Sequence, residues 1–282
     1  MTSAGRARLA LIGAAVGWSL AGPFVKVLKL NATVLVGWRS LFAGLACLPF
    51  LRGRIPLTRG GFALAGTYTC VVWLFVSATT ATTAAAAIFL QYTAPAWVAL
   101  MAVLWLKEPL DRRTIASVGL AFLGIAAVLV GEAGGRAGWR GATLGLASGL
   151  AFALYTVLQR RYRDHDPVGQ TVLNSFVAAA LTAPWWIWGS GTLPPAKILG
   201  GVAVMGAVQL GLPYILFAYG LKAVRAQEAS LLTLIEPVLN PLLTALAVGE
   251  RPGGWTLLGG AVVLGALLLR YVDTSRWTRF RR

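Results

Sequence analysis

The sequence is divided into ten long apolar stretches, separated by short breaks rich in Gly, Pro and charged residues. The hydrocarbon core of a bilayer is about 30 Å thick, and a helix needs about 20 apolar residues to cross it. Backbone polar groups find no partners in lipid, so such a stretch crosses as a helix. The sequence therefore predicts an all-α polytopic membrane protein of ten transmembrane helices. We number them spans 1 to 10 and place them at 9–28, 32–51, 62–79, 84–106, 114–130, 141–159, 168–188, 198–219, 228–248 and 254–272.

Composition leaves no room for a water-soluble domain. Hydrophobic residues make up 57% of the 282 residues and charged residues only 12%, whereas a soluble domain carries about 25% charged residues. The net charge of +16 would suit nucleic acid, but the Lys and Arg residues lie in short loops, where they act as topology signals. We expect membrane lipid and a small-molecule solute as partners and no nucleic acid, and the oligomeric state is left open.

The basic residues are distributed unequally between the two sides of the membrane. Eighteen Lys and Arg residues fall on the side of the N-terminus and six on the other, with Arg39 inside span 2. Loops rich in Lys and Arg remain in the cytoplasm. Both termini are therefore predicted to be cytoplasmic.

The second half of the chain repeats features of the first. Glu108 follows span 4 as Glu250 follows span 9, and each has a proline thirteen residues earlier, Pro95 or Pro237. Each repeat contains five spans. An odd number of spans makes the second repeat insert with the opposite orientation.

We divide the chain into a first repeat at 1–138 and a second at 139–282, within one membrane domain. Inverted repeats are typical of secondary transporters, in which the substrate site lies near the middle of the membrane where the halves meet. The repeat therefore predicts transport of a small solute by alternating access.

Polar side chains inside the spans are the first candidates for a solute site. Thr233, Glu236 and Asn240 share one face of span 9, and they line a cavity or hydrogen-bond a neighbouring helix, because exposure to lipid is unfavourable. Glu236 and Arg39 are the only deep charges, and their depths differ by roughly 5 Å at 1.5 Å per residue. We predict an ion pair between them; otherwise Glu236 would couple transport to protons or attract an ammonium group.

Prolines and aromatic residues complete the predicted cavity. Pro95 and Pro237 free the backbone carbonyls of Gln91 and Thr233, which suit an ammonium or a hydroxyl unless the prolines only kink the helices. Aromatic and amide side chains in several other spans add weakly polar walls. The predicted substrate-binding residues are Trp18, Tyr68, Trp73, Gln91, Tyr92, Pro95, Tyr155, Gln159, Gln209, Tyr214, Thr233, Glu236 and Asn240.

An intramembrane enzyme is the distant alternative, and the sequence argues against it. His165 is the single histidine and lies in a charged loop, so no histidine pair can hold a metal. The chain has no P-loop, which excludes a nucleotide-driven pump of that type. We expect no catalytic residues, no metal and no cofactor.

Three motifs resemble a known family. Trp18-Ser19 in span 1, Glu236-Pro237 in span 9 and the glutamates that follow spans 4 and 9 are similar to the EamA family of the drug/metabolite transporter superfamily. The resemblance covers essentially the whole chain and implies ten helices with both termini in the cytoplasm, in a bacterial inner (plasma) membrane. It also implies a central cavity lined by spans 1, 3, 4, 6, 8 and 9. The nearest group, the YddG-like exporters, implies amino acids as substrates.

Other substrates of the superfamily stay open at this point. A sugar phosphate would need several deep Lys or Arg residues, and only Arg39 is deep, whereas Glu236 would suit efflux of a drug cation. Nucleoside exchange is a further alternative. A zwitterionic amino acid fits a site with few net charges, aromatic walls and freed backbone groups. The gates are predicted in the half-helices beyond Pro95 and Pro237, on opposite sides of the membrane.

Overall fold

Helices are the only regular elements in the part of the chain that the structure describes. This computed structural model describes residues 3–94, 96–98, 101, 112–133, 138–162, 164–189, 193–221 and 232–271. Each of the ten predicted spans contains a helix in these residues. Five stretches among them are long and apolar enough to cross a membrane, namely Gly5–Leu28, Ala32–Phe50, Arg59–Ala81, Trp139–Gln159 and Ala196–Gly220. The predicted all-α, multi-span architecture is confirmed.

Several spans consist of more than one helical segment. Span 1 contains Ser3–Ser19 and Ala21–Leu28, and span 8 contains Ala196–Val204, a π-helical segment at Met205–Gly211, and Leu212–Leu221. Span 2 is Ala32–Cys47 with a 3-10 turn at Leu48–Phe50, and span 7 is Pro167–Leu181 with a π-helical turn at Pro184–Trp188. The other segments are Arg59–Ala81 in span 3, Ala84–Gln91 in span 4, Arg112–Ala133 in span 5, Gly138–Arg161 in span 6, Ile235–Val248 in span 9 and Gly254–Tyr271 in span 10.

Side chains and prolines set the ends and interruptions of these helices. In four helices a backbone N–H of the first turn donates to the side chain of the residue that immediately precedes the helix. These N-cap residues are Asn31, Thr58, Thr83 and Asp166. Pro213 cannot donate to the carbonyl of Gln209, and the π-helical segment of span 8 lies immediately before it. Such interruptions place backbone polar groups inside the bundle.

Several contacts between spans occur in matching pairs, in which each span is replaced by the corresponding span of the other repeat, five positions along the chain. Span 3 packs against span 6, as span 8 packs against span 1, and span 3 also contacts span 7, as span 8 contacts span 2. Spans 2 and 7 contact each other, and so do spans 5 and 10. This two-fold relation is the one expected of two repeats. The main buried cluster lies between spans 1, 2, 3, 6, 7 and 8, and a second surrounds span 4.

Glycines bring spans 5 and 10 into backbone contact. A Cβ on Gly124 would lie 2.8 Å from the carbonyl oxygen of Gly259, and a Cβ on Gly259 would lie 2.5 Å from that of Gly124. Real Cβ atoms do not approach so closely, so the two backbones meet directly at these glycines, with the side chains of Val128 and Val263 packed beside them.

Candidate functional site

Spans 4 and 9 meet at a buried carboxylate. Tyr92 directly follows the helix Ala84–Gln91, and its hydroxyl lies 2.8 Å from Oε2 of Glu236 and 2.9 Å from the carbonyl oxygen of Thr233. Pro237 has no N–H, so this carbonyl lacks its usual helical donor. Glu236 is 8% exposed. An acidic side chain and a backbone carbonyl therefore share one hydroxyl in the interior of the bundle.

The structure does not form the predicted ion pair between Arg39 and Glu236. Both residues belong to the described part of the chain, and their partners there are different. Arg39 donates from Nη1 to Oε1 of Gln209 and from Nη2 to the carbonyl oxygen of Val72, both at 3.4 Å. The prediction compared depths in the membrane, but equal depth does not fix lateral position. Arg39 faces spans 3 and 8, whereas Glu236 faces span 4.

Five aromatic side chains from spans 1, 3, 6 and 8 form what we call the aromatic cluster. The ring centroid of Tyr214 lies 5.1 Å from that of Trp18 and 5.2 Å from that of Tyr68. Tyr155 lies 6.0 Å from Tyr68, and Phe217 lies 5.0 Å from Trp18. Four of the five residues were predicted site residues, and the structure brings those four together.

A chain of hydrogen bonds runs from the aromatic cluster to one end of spans 6 and 7. The hydroxyl of Tyr155 accepts from Nε2 of Gln159 at 2.7 Å and from Nδ2 of Asn174 at 3.1 Å. Gln170 donates to Oδ1 of Asn174 at 2.7 Å, and Oε1 of Gln170 lies 2.9 Å from Nδ1 of His165. The chain thus connects the core of the bundle to the loop between spans 6 and 7.

This chain borders a cavity of about 350 Å³ at the same end of the bundle. Gln159 and Tyr214 are the predicted site residues that line it. The sequence analysis missed other lining residues, which include Leu64, Tyr162, Asp164, His165, Gln170 and Phe217. Most of them lie at the ends of spans, where a polar side chain cannot be distinguished from an ordinary solvated one without the fold.

At the opposite end of the bundle an ion pair joins spans 1 and 9. Nζ of Lys26 lies 2.9 Å from Oε2 of Glu250 and donates to the carbonyl oxygen of Thr82 at 2.6 Å. Oε1 of Glu250 accepts from the backbone N–H of Ala84 at 2.7 Å. These two side chains hold together the ends of spans 1, 3, 4 and 9.

The remaining predicted residues have other positions. Gln91 donates to a serine hydroxyl of span 6 at 2.8 Å, and Asn240 is fully buried with no hydrogen-bond partner for its amide among the described residues. Trp73 is not in the cavity, because its ring is 37% exposed on the surface of the bundle and bonds a threonine of span 2 at 2.9 Å. Pro95 lies outside the described residues.

The chemistry of these residues is noncovalent binding. In the described part of the chain no group of three or more His, Cys, Asp or Glu side chains could hold a metal ion. The groups present are a carboxylate, a guanidinium and aromatic faces. Together they can bind a small solute with both charged and apolar parts.

Comparisons with known proteins identify the family of the chain. The family model described as EamA-like transporter family matches residues 6–130 and, separately, residues 139–272. An uncharacterized transporter of Archaeoglobus fulgidus is 31% identical over 253 residues, which cover 85% of this chain and 87% of the relative. The uncharacterized transporter YdfC of Bacillus subtilis is 27% identical over 211 residues, which cover 70% of this chain and 65% of that protein.

A solved crystal structure of a protein has a similar fold. It is 21% identical, covers 93% of this chain and 97% of its own, and has a TM-score of 0.66. At this identity the likeness shows the fold alone.

Proposed function

The chain belongs to the EamA-like transporter family, and on that basis we propose that it exports amino acids across a bacterial plasma membrane by alternating access. The family and the apolar helices make it a multi-pass membrane transporter. The substrate, the direction of transport and the membrane are proposals, and the two ends of the bundle support them as follows.

The observation that carries the proposal is the difference between the two ends. A cavity of about 350 Å³ lies at the end bearing the loop between spans 6 and 7, which the positive charges predict to be cytoplasmic. The Lys26–Glu250 ion pair joins four spans at the other end. A protein that works by alternating access has this form when its site faces the cytoplasm and its external end is closed.

The buried charges and the aromatic cluster favour a small zwitterion. Glu236 offers acceptors for an ammonium group, and the aromatic cluster, of which Tyr214 and Phe217 line the cavity, offers apolar surface. Ligand pockets range from about 300 to 1,000 Å³, so a cavity of about 350 Å³ suits a small solute. A sugar phosphate is disfavoured, because Arg39 is the one buried cation among the described residues.

Efflux of a lipophilic cation is the second candidate function. The observation that favours it is Glu236, a carboxylate in the interior of the bundle with a tyrosine as its described partner. Such a cation has no carboxylate, so it would leave the buried guanidinium of Arg39 without an anionic partner. Substrate competition therefore separates the two candidates.

The external gate is proposed to include the half of span 9 beyond Pro237. Pro237 lies in the first turn of the helix Ile235–Val248 and Pro241 lies inside it, where a proline removes one hydrogen bond and makes bending easier. This half-helix runs from Val238 to the Lys26–Glu250 ion pair, so bending would move one partner of the pair. Its counterpart in span 4 begins at Pro95, and Pro95 and most of that half lie outside the described residues.

Counterflow into proteoliposomes tests the proposal. Vesicles containing the purified protein are given labelled amino acids, a nucleoside, a sugar phosphate and tetraphenylphosphonium, each against the same unlabelled compound inside. The control is Lys26→Cys with Glu250→Cys, in a chain whose Cys47 and Cys70 are replaced by Ser. Bridging the two new cysteines with a reducible bifunctional thiol reagent should stop counterflow, and reduction should restore it.

Each outcome of this experiment decides a part of the proposal. Counterflow of one or more amino acids, stopped by the bridge, supports amino-acid transport by alternating access. Counterflow of tetraphenylphosphonium alone would replace the amino-acid substrate with the second candidate. Counterflow that continues across the bridged external end would contradict the proposed gate.

A further inference from the structure

Arg39 is a buried cation without a buried anion beside it. Its side chain is 1% exposed, and its described partners are the neutral oxygens of Gln209 and Val72, each at 3.4 Å. These distances exceed the usual 2.7 to 3.2 Å of an N–H···O hydrogen bond. Nε of Arg39 finds no partner among the described residues. A charge in this position is unfavourable unless an opposite charge and good hydrogen bonds compensate for its desolvation.

The surroundings of Arg39 supply a further donor. Nε1 of Trp18 is also buried without a hydrogen-bond partner in the described part of the chain. Tyr68 lies one helical turn before Val72, whose carbonyl oxygen accepts from Arg39, and Trp18 and Tyr68 both pack against Tyr214. A region with unused N–H donors and a positive charge matches a ligand that brings acceptors and a negative charge.

Tyr214 is the layer between this region and the cavity. It lines the cavity, and its ring centroid lies 5.2 Å from that of Tyr68. Tyr214 follows the π-helical segment Met205–Gly211 and Pro213, where span 8 lacks regular hydrogen bonding. Displacement of this ring would open the cavity toward Tyr68, which lies one helical turn before the residue whose carbonyl accepts from Arg39.

We propose that Arg39 binds the carboxylate of the transported solute, an inference that rests on the proposed function and specifies its substrate class. A single guanidinium matches one planar monoanion, and its fork of N–H donors fits the two oxygens of a carboxylate. The carboxylate therefore binds at Arg39, and the neighbouring aromatic cluster receives the apolar part of the solute.

A matched series of competitors tests the role of the carboxylate without any mutation. Counterflow of the best labelled amino acid is measured against the same amino acid unlabelled, its primary amide and its decarboxylated amine. The amide and the amine should compete about tenfold to a hundredfold more weakly, the effect expected for loss of one charge-assisted interaction. Equal competition by the acid and the amide would overturn the proposal.

Variants of Arg39 assign that preference to the guanidinium. In Arg39→Gln the acid should compete as weakly as the amide, and Arg39→Lys should retain part of the preference. The matched control is Arg59→Gln, because Arg59 is exposed at the start of span 3. If Arg39→Gln weakened the acid and the amide by the same factor, Arg39 would be a structural residue and the proposal would be wrong. If that variant does not fold, the competitor series with the unaltered protein decides.

Failure of the proposed function is distinguishable from failure of this inference. If no labelled amino acid shows counterflow, the proposed function fails, and the site is then tested by thermal unfolding of the detergent-purified protein. Phenylacetate should raise the unfolding midpoint of the unaltered protein but not that of Arg39→Gln, while phenylacetamide should raise neither. No preference for phenylacetate over phenylacetamide would overturn the carboxylate site as well.

Discussion

Two substitutions of Glu250 should weaken the closure of the external end of the bundle to different degrees. Glu250→Gln removes the charge that pairs with Lys26 but keeps an oxygen that can accept from the backbone N–H of Ala84. Glu250→Ala removes the ion pair and the hydrogen bond. The second change should therefore favour the externally open state more strongly than the first.

The size of each step follows from the contacts. The side chains of Lys26 and Glu250 are 22% and 14% exposed, so the pair is partly solvated, and its contribution is about 1 kcal/mol. A hydrogen bond to a charged acceptor contributes about 2 kcal/mol more, and one to a neutral acceptor about 1 kcal/mol. Glu250→Gln therefore loses about 2 kcal/mol and Glu250→Ala about 3 kcal/mol. The ratio of externally open to closed molecules should rise about 30-fold in Glu250→Gln and about 150-fold in Glu250→Ala, since 1.4 kcal/mol is a factor of ten.

Cysteine labelling measures this ratio. Thr244 is fully buried in the half of span 9 that ends near the ion pair. Thr244→Cys, with Cys47 and Cys70 replaced by Ser, is exposed to a membrane-impermeant maleimide on the external side. While the closed state predominates, the labelling rate is proportional to the open fraction. Arg251→Gln is the matched control, because it removes an exposed charge next to Glu250.

Equal labelling rates in Glu250→Gln, Glu250→Ala and the control would refute the reasoning. The pair would then contribute nothing to closure, and the gate would lie elsewhere. A larger effect of Glu250→Gln than of Glu250→Ala would also contradict it, because the hydrogen bond to Ala84 would then have the wrong sign.

Two further predictions concern other contacts of the bundle. Glu236→Gln should lower amino-acid counterflow at least about tenfold, with little change in the thermal unfolding midpoint. Tyr92→Phe should instead reduce the free energy of unfolding by about 1 to 3 kcal/mol, because the Glu236 carboxylate loses its donor. Equal loss of stability in both variants would contradict a role of Glu236 in binding. Gly259→Ala should reduce the free energy of unfolding by about 1 to 3 kcal/mol, because the added Cβ forces spans 5 and 10 apart. The control is Gly265→Ala, whose added Cβ would meet nothing within 4 Å. Similar stabilities of the two variants would contradict the close backbone contact.

The number and order of the spans could be predicted because a bilayer imposes one length on every crossing helix. The interruptions within spans could not. A proline such as Pro213 removes one hydrogen bond wherever it stands, but the response of the chain depends on the groups around the freed carbonyl. In span 8 the response is the π-helical segment Met205–Gly211, and span 1 is divided at Leu20. The boundary between the repeats at 138 and 139 remains a prediction.

The candidate site was predictable in its residue types but not in its pairings. Depth along a helix can be read from the sequence, which is why Arg39 and Glu236 were paired, but lateral position depends on packing. Trp73 was placed in the cavity because it is aromatic and lies inside a span, yet its ring is on the surface of the bundle. Lys26 was counted only among the six basic residues of the external side, and Glu250 only as a marker of the repeat and of the family. Nothing in the sequence indicated that the ends of spans 1 and 9 meet.

The contact between spans 5 and 10 has a mechanical consequence. At Gly124 and Gly259 backbone faces backbone, so a shift along the contact would force backbone atoms together. Rotation about the line of contact involves no such collision. If the two halves move as we propose, spans 5 and 10 would keep a constant separation and serve as the pivot, and the spacing of the halves would change on the opposite side of the molecule.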